Sequence, residues 1–168
     1  YRIFAKKVHH IVYEPLFAEY IQNKYAIPEE LTHVIPHIQY VNEYQEDTMQ
    51  SDVRENMYDC IAISGSNNEE FVNEIVRLEK KFHYFEKHKI KCLIKCKNVQ
   101  YESEYLNITG SFIPTEEYKR LYKECKVVLV PFPLSYRYRM SGCIVDAFSF
   151  HKPVVSSNIE LAKYYNKQ

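Results

Sequence analysis

Between Ile108 and Asn158 the chain alternates short apolar runs with helix-patterned segments, and this alternation restricts the fold more than any other feature. The order reads strand, turn, helix, apolar strand, proline-punctuated loop, a helix opening at Ser141-Gly142, and a further strand. Parallel strands need long crossover connections, and alternating β and α segments supply them, so the stretch predicts a parallel sheet covered by helices. Lys126 to Pro131 is the strongest strand, because a run such as Val127-Val128-Leu129-Val130 suits burial on both sides.

The same alternation extends upstream. Tyr58–Ser64 reads as a strand, Gly65 to Asn68 as a turn, and Glu69–His88 as a helix whose apolar face is Phe71, Ile75, Leu78 and Phe82. Strands are expected at Ile90–Lys95, Leu106–Thr109 and Val154–Ser156. Helices are expected from a Thr115 cap to about Cys125, over Ser141–Phe150, and from Ile159 onward. Nearer the start, Val8–Tyr13 and Leu31–Ile35 read as strands around a helix over Pro15–Tyr25, with proline suited to its first turn. The segment 39–56 is polar and weakly patterned. The expected class is α/β, a Rossmann-like doubly wound parallel sheet, cut short at both ends.

A length of 168 residues is one domain's worth of chain with enough mass for a core. Lys plus Arg and Asp plus Glu both number 22, so no net charge calls for nucleic acid as a partner. Five cysteines, an odd number without a CxxC pair, read as buried free thiols of a reducing compartment rather than as disulfides. The longest apolar run is too short to span a bilayer. These features set the expected location in the cytoplasm.

In open α/β sheets ligands bind outside the carboxyl ends of the strands, and three loops fall there. In the first, Gly65 permits a tight turn, while Ser66 or Asn67 either caps the next helix or bonds a phosphate; no Gly-Lys-Ser/Thr follows, which excludes a Walker loop. In the second, Phe112 and Ile113 form part of a turn into a helix, or a surface for a nucleotide base. In the third, Arg137, Tyr138 and Arg139 precede Ser141-Gly142, combining guanidinium forks and rings with a helix N-terminus. Asp146, one turn into that helix, is either a surface carboxylate or a contact for a sugar hydroxyl. His33 and His37 have HxxxH spacing, but Pro36 lies between them in a strand-like run, so no metal is expected.

Several of these residues carry a family resemblance. Val8-His9-His10-Ile11-Val12, the helix to Tyr25, and His33-Val34-Ile35-Pro36-His37 resemble the passage leading out of the N-terminal domain in GT-B-fold glycosyltransferases of family 4. Thr109-Gly110 with Glu116-Glu117-Tyr118 and Leu121-Tyr122, then Val127 to Pro131, then Lys152-Pro153-Val154-Val155, are similar to successive motifs of that family's C-terminal, donor-binding domain. The shared order runs from Val8 to Tyr165. Family members flank a glycine-rich, diphosphate-wrapping stretch with two acidic residues. Here the second falls on Asp146, the first on Tyr138, and the stretch becomes Arg139-Met140-Ser141-Gly142. Where many members place an Arg and a Lys after the first strand of that domain, this chain has Ser66-Asn67.

The resemblance implies residues 1–38 as the end of an N-terminal domain or an interdomain segment, 39–57 as a linker, and 58–168 as an incomplete nucleotide-sugar-binding domain. It implies transfer of a hexosyl group, with retention, from a nucleotide-sugar donor to a glycan or lipid-linked acceptor, with no cofactor or metal. Donor contacts would come from Gly65, Ser66, Asn67, Phe112, Ile113, Arg137, Tyr138, Arg139, Ser141 and Gly142, and Asp146 would be the catalytic candidate. Acceptor groups and any peripheral membrane association would belong to the absent N-terminal domain, leaving this piece inactive alone. Two alternatives stay open: a non-catalytic binding or scaffold module that keeps the fold, and a GT-B-like sugar-nucleotide epimerase.

Overall fold

The computed structural model describes residues 7–36 and 57–167. By compactness the chain divides into two units, one drawn from residues 1–39, 134–140 and 158–168, the other from 40–133 and 141–157. This division differs from the boundaries expected from sequence, because residues 134–140 and 158–168 group with the N-terminal segment. The expected linker, apart from Met57, lies outside the described residues.

The smaller unit begins as a β-α-β turn of chain: β1 (His10–Val12), α1 (Pro15–Tyr25) and β2 (Thr32–Val34), the last preceded by a 3-10 turn at Glu29–Leu31. The strands pair in parallel with His10 opposite Thr32. Pro15 opens α1, where its missing N–H costs nothing.

The larger unit holds a six-stranded sheet. In chain order its elements are β3 (Cys60–Ala62), α2 (Glu69–Phe82), α3 (Tyr84–His88), β4 (Cys92–Lys95), β5 (Tyr101–Glu102), β6 (Leu106–Thr109), α4 (Thr115–Glu124), β7 (Val127–Val130), α5 (Gly142–Ser149) and β8 (Val154–Ser156). The spatial order is β5-β6-β4-β3-β7-β8, parallel throughout except for the β5–β6 edge pair. The sheet is thus mixed α/β and compatible with a Rossmann-like fold. The chain lays β3, β4 and β6 outward in one direction, then returns to the other side of β3 for β7 and β8. The smaller unit is completed by a 3-10 turn at Leu134–Tyr136 and α6 (Glu160–Tyr165), where Leu161 N–H donates to Arg137 O.

Alternation along the strands divides the core. Cys60, Ala62, Cys92, Ile94, Leu106 and Ile108 pack with Val72, Ile75 and Val76 of α2 and Phe85 of α3. The opposite set includes Ile61, Leu93, Val128 and Val130, all buried, and α4 and α5 bury Leu121, Tyr122, Ile144, Val145 and Ala147.

The expected helix over Glu69–His88 is two helices, broken at His83 with φ 49°. Glu79 causes the break to be stable: 3% exposed, its carboxylate accepts from the N–H groups of Phe85 and Glu86, capping α3. The buried face of α2 is accordingly Val72, Ile75, Val76 and Glu79. Of the expected stripe, Phe71 and Phe82 are nearly half exposed and Leu78 is also open. Two stripes at helical spacing share Ile75, and the charge on Glu79 conceals the one that is used. Thr115 is not the cap of α4 but its first residue; Pro114 takes the cap position, and its carbonyl accepts from Tyr118 N–H. The strand β5, two residues long, is too short to leave a pattern in the sequence. The other strands fall inside their expected bounds, trimmed by a residue or two at the ends.

Among the described residues no helix is long and apolar enough to cross a membrane. All five cysteines are free, with Cys92, Cys96 and Cys125 buried; burial pushes the Cys125 thiol up to about 11.

Candidate functional site

The return of the chain places a reversal between β3 and β7, and the loops following these two strands leave the carboxyl edge side by side. After β3, Ser64 is buried and its Oγ accepts from Ser66 N–H at 3.2 Å. Asn67, 9% exposed, donates its amide Nδ2 to Ala62 O at 2.6 Å and Lys95 O at 2.9 Å, tying the ends of β3 and β4 together. Its Oδ1 is buried without a hydrogen-bond partner among the described residues. Neither Ser66 nor Asn67 caps α2. That role falls to Asn68, whose Oδ1 accepts from Phe71 N–H at 3.0 Å. Asn68 N–H also donates to Pro131 O at 2.8 Å, stitching this loop to the one after β7.

The β7 loop rejoins the larger unit at Ser141. This residue is buried, and its Oγ accepts from Ile144 N–H at 3.3 Å as the cap of α5. Phe132, earlier in the loop, is buried, and its carbonyl accepts from Ser157 Oγ at 2.7 Å. Both helices therefore start at the edge where ligands of such sheets bind, and both have a side-chain cap. Their charges differ. The first turn of α2 carries Glu69 and Glu70, whereas that of α5 carries no acid. The cap takes the Ile144 N–H, and the Gly142 and Cys143 N–H groups, which an α-helix leaves without an intrahelical partner, sit at its positive end. Of the two helices, α5 is the one suited to an anion.

Gly65 and Gly142 are exposed, neither has a positive φ, and a Cβ at either would meet nothing within 4 Å. Their lack of a side chain leaves the backbone approachable, but the fold does not demand it. Gly110 differs: a Cβ there would lie 3.0 Å from Lys97 O and 3.3 Å from Cys96 O.

Asp146 lies half-buried on α5, and its Oδ2 accepts from the Tyr118 hydroxyl at 2.7 Å. Tyr122, whose ring neighbours Tyr118, donates its hydroxyl to Cys143 O at 3.2 Å. Burial pushes both phenols far above the usual tyrosine range, so they remain protonated donors. The Asp146 carboxylate thus joins α5 to α4. Nothing in the sequence pointed to Tyr118 as its partner, since the two residues lie on different helices.

Arg137, Tyr138 and Arg139 belong to the smaller unit. Tyr138 stacks on Tyr20 at 3.8 Å between ring centroids and 16° between planes. The Arg137 guanidinium lies 5.6 Å from the Tyr138 ring, and that of Arg139 lies 4.9 Å from the Tyr136 ring. Arg137 and Tyr138 line a groove of about 470 Å³ with Glu19, Tyr20, Asn23 and Lys24 of α1. The Tyr20 hydroxyl accepts from Lys24 Nζ, a bond that raises the ammonium above its ordinary value.

Phe112 and Ile113 follow β6, two strands from the reversal, with Phe112 81% exposed. Within the larger unit the candidate residues fall into groups: Gly65, Ser66, Asn67, Ser141 and Gly142 at the reversal, Asp146 within the α4–α5 contact, and Phe112 and Ile113 beyond β6; Arg137 to Arg139 belong to the smaller unit. Among the described residues no three His, Cys, Asp or Glu side chains gather as a metal site. His9 Nδ1 and His33 Nε2 are 2.6 Å apart, and His37 lies outside the described residues.

No protein-family model matches the sequence, and no curated protein matches it at a significant level.

Proposed function

We propose that the larger unit is a nucleotide-sugar-binding domain of a GT-B-type glycosyltransferase, with the donor diphosphate at the start of α5. The observation that carries this reading is the reversal between β3 and β7, with the acid-free N-terminus of α5 opening on its carboxyl edge. The motif order from Val8 to Tyr165 supports the family. So does the smaller unit's two-stranded parallel sheet: such sheets are ordinarily covered on both faces, yet Ile11 is 64% exposed, as in the last β-α-β turn of a larger sheet. Amides at Gly142 and Cys143, held in place by the Ser141 cap, would stabilise negative charge gathering on a leaving diphosphate. The acceptor would be a glycan or lipid-linked sugar.

A second reading, a nucleotide-binding module without transferase activity, is favoured by two observations. Tyr138, at the position of the family's first carboxylate, stacks on Tyr20. Asp146, at the position of the second, is engaged by Tyr118. The readings share the nucleotide site and part at turnover.

The test uses the open space at Gly142. Gly142→Ala should bind UDP, GDP or ADP as the parent does in calorimetry. Gly142→Glu places a carboxylate in the first turn of α5 and should weaken binding about tenfold or more. Equal affinity in the two variants would move the diphosphate away from α5. Sugar transfer by the full-length protein, measured with the bound nucleotide's sugar donors, would separate the transferase from the module.

A further inference from the structure

The end of the sheet away from β7 carries a feature that the nucleotide reading leaves unused. On the face opposite α2, Leu93 of β4 stands beside Asn107 of β6, and these form the floor of a groove of about 690 Å³. The groove runs from Tyr58, just before β3, to Phe112, just beyond β6. Glu102 of β5 and Glu117 of α4 also line it.

Three properties define what this groove can hold. First, its floor is built to stay wet. Parallel strands are usually apolar on both faces, but β6 presents Asn107 and Thr109 here while burying Leu106 and Ile108 on the other side. Second, Phe112 holds a large apolar ring 81% exposed at the mouth. In the loop that presents it, Thr109 Oγ1 accepts from Ser111 N–H at 3.1 Å, and Gly110 packs so closely on Lys97 O that a Cβ there would be 3.0 Å away. Lys95 Nζ stands 6.0 Å from the ring centroid. Third, the charged side chains around the groove are of both signs: Glu102 and Glu117 line it and Lys95 stands at the Phe112 ring, so no one sign of ligand charge is favoured.

An exposed aromatic ring beside amide, hydroxyl and carboxylate groups matches a ligand with an apolar C–H face and a rim of hydroxyls. We propose that this groove binds a neutral oligosaccharide, as a surface separate from the nucleotide site. The Phe112 ring packs against one sugar face, while Asn107, Glu102 and Glu117 exchange hydrogen bonds with ring hydroxyls. The proposal stands on the groove alone and does not require the nucleotide reading to hold.

The test titrates the full chain with linear tetrasaccharides of glucose, mannose, galactose and N-acetylglucosamine, followed by saturation-transfer NMR and calorimetry. At least one should bind in the millimolar range or tighter. Phe112→Ala, at a position too exposed to disturb folding, should weaken it about tenfold. Phe71→Ala, an exposed ring on α2, is the control and should leave it unchanged. UDP, GDP and ADP should not displace the sugar. Absence of binding by all four sugars would overturn the proposal, as would equal loss in the two variants. Displacement by a nucleoside diphosphate would also overturn it, assigning Phe112 to the nucleotide site. Loss of nucleotide binding with sugar binding intact would instead sink the nucleotide reading alone.

Discussion

The loops after β3 and β7 occupy equivalent places: each follows a parallel strand beside the reversal, and each ends in a side-chain cap of the next helix. Their chemistry diverges. The β3 loop turns inward, with the Asn67 amide given to two strand-end carbonyls and Glu69 and Glu70 closing the start of α2 to anions. The β7 loop delivers α5 with a buried cap and no acid in its first turn. Topology alone offers two helix N-termini to a ligand, and the side chains leave one. The same geometry is tied to the strand ends in one loop and leaves a helix start without acids in the other.

The largest expected effect breaks the inward loop. Asn67→Leu keeps the volume roughly constant but removes both donors, leaving Ala62 O and Lys95 O without this partner in a buried setting. Unmade buried hydrogen bonds cost about 1–3 kcal/mol each, so a loss of about 3 kcal/mol is expected in urea unfolding. A loss under about 1 kcal/mol would mean that the amide does not hold the ends of β3 and β4.

A smaller pair of effects sharpens the contrast. Asn68→Ala and Ser141→Ala each remove one helix cap and should each lower stability by about 1 kcal/mol. Their consequences for ligand should differ: only Ser141→Ala, which loosens the first turn of α5, should weaken nucleoside diphosphate binding. Equal weakening in the two variants would show that both loops meet the ligand and that the acids on α2 do not exclude it.

Much of this arrangement was legible in the sequence, for identifiable reasons. The strands at Leu106–Thr109 and Val154–Ser156 and the helix at Pro15–Tyr25 fall at the expected bounds, because apolar runs and a proline at a first turn are local signals. The cap at Ser141 is local as well. What escaped depends on partners distant in sequence. Glu79 lies off the expected apolar stripe, and its burial rests on the amides of Phe85 and Glu86 folding back onto it. Asn67 reads from sequence as either a helix cap or a phosphate contact, and the Lys95 carbonyl that holds its amide lies 28 residues away. Gly65 and Gly142 stand out in sequence by their place in loops, yet the close approach of backbone occurs at Gly110, which meets Lys97. Arg139 is two residues from Ser141 in sequence but belongs to the smaller unit with its ring partner Tyr136, a partition that adjacency along the chain cannot convey.

The smallest expected effect lies at the opposite edge of the same two strands. Asp59, just before β3, accepts from Lys91 N–H at 2.8 Å and pairs with Lys126 Nζ, just before β7, at 2.7 Å. Burial pushes the Asp59 carboxyl up, but the Lys126 ammonium and the Lys91 amide outweigh it and hold it below its ordinary 3.8. A carboxyl depressed on folding contributes stability that is full above its unfolded value and is lost as pH falls through its folded value. The parent should therefore exceed Asp59→Asn in stability at neutral pH, and the difference should shrink below about pH 4. Because the Lys126 side chain is 64% exposed, salt should also shrink it. Thermal unfolding from pH 7 down to pH 3, at low and high salt, reads both trends. A difference independent of pH would show that the amino edge is held by its backbone pairing, where Lys126 and Val127 donate to Asp59 O, and not by charge.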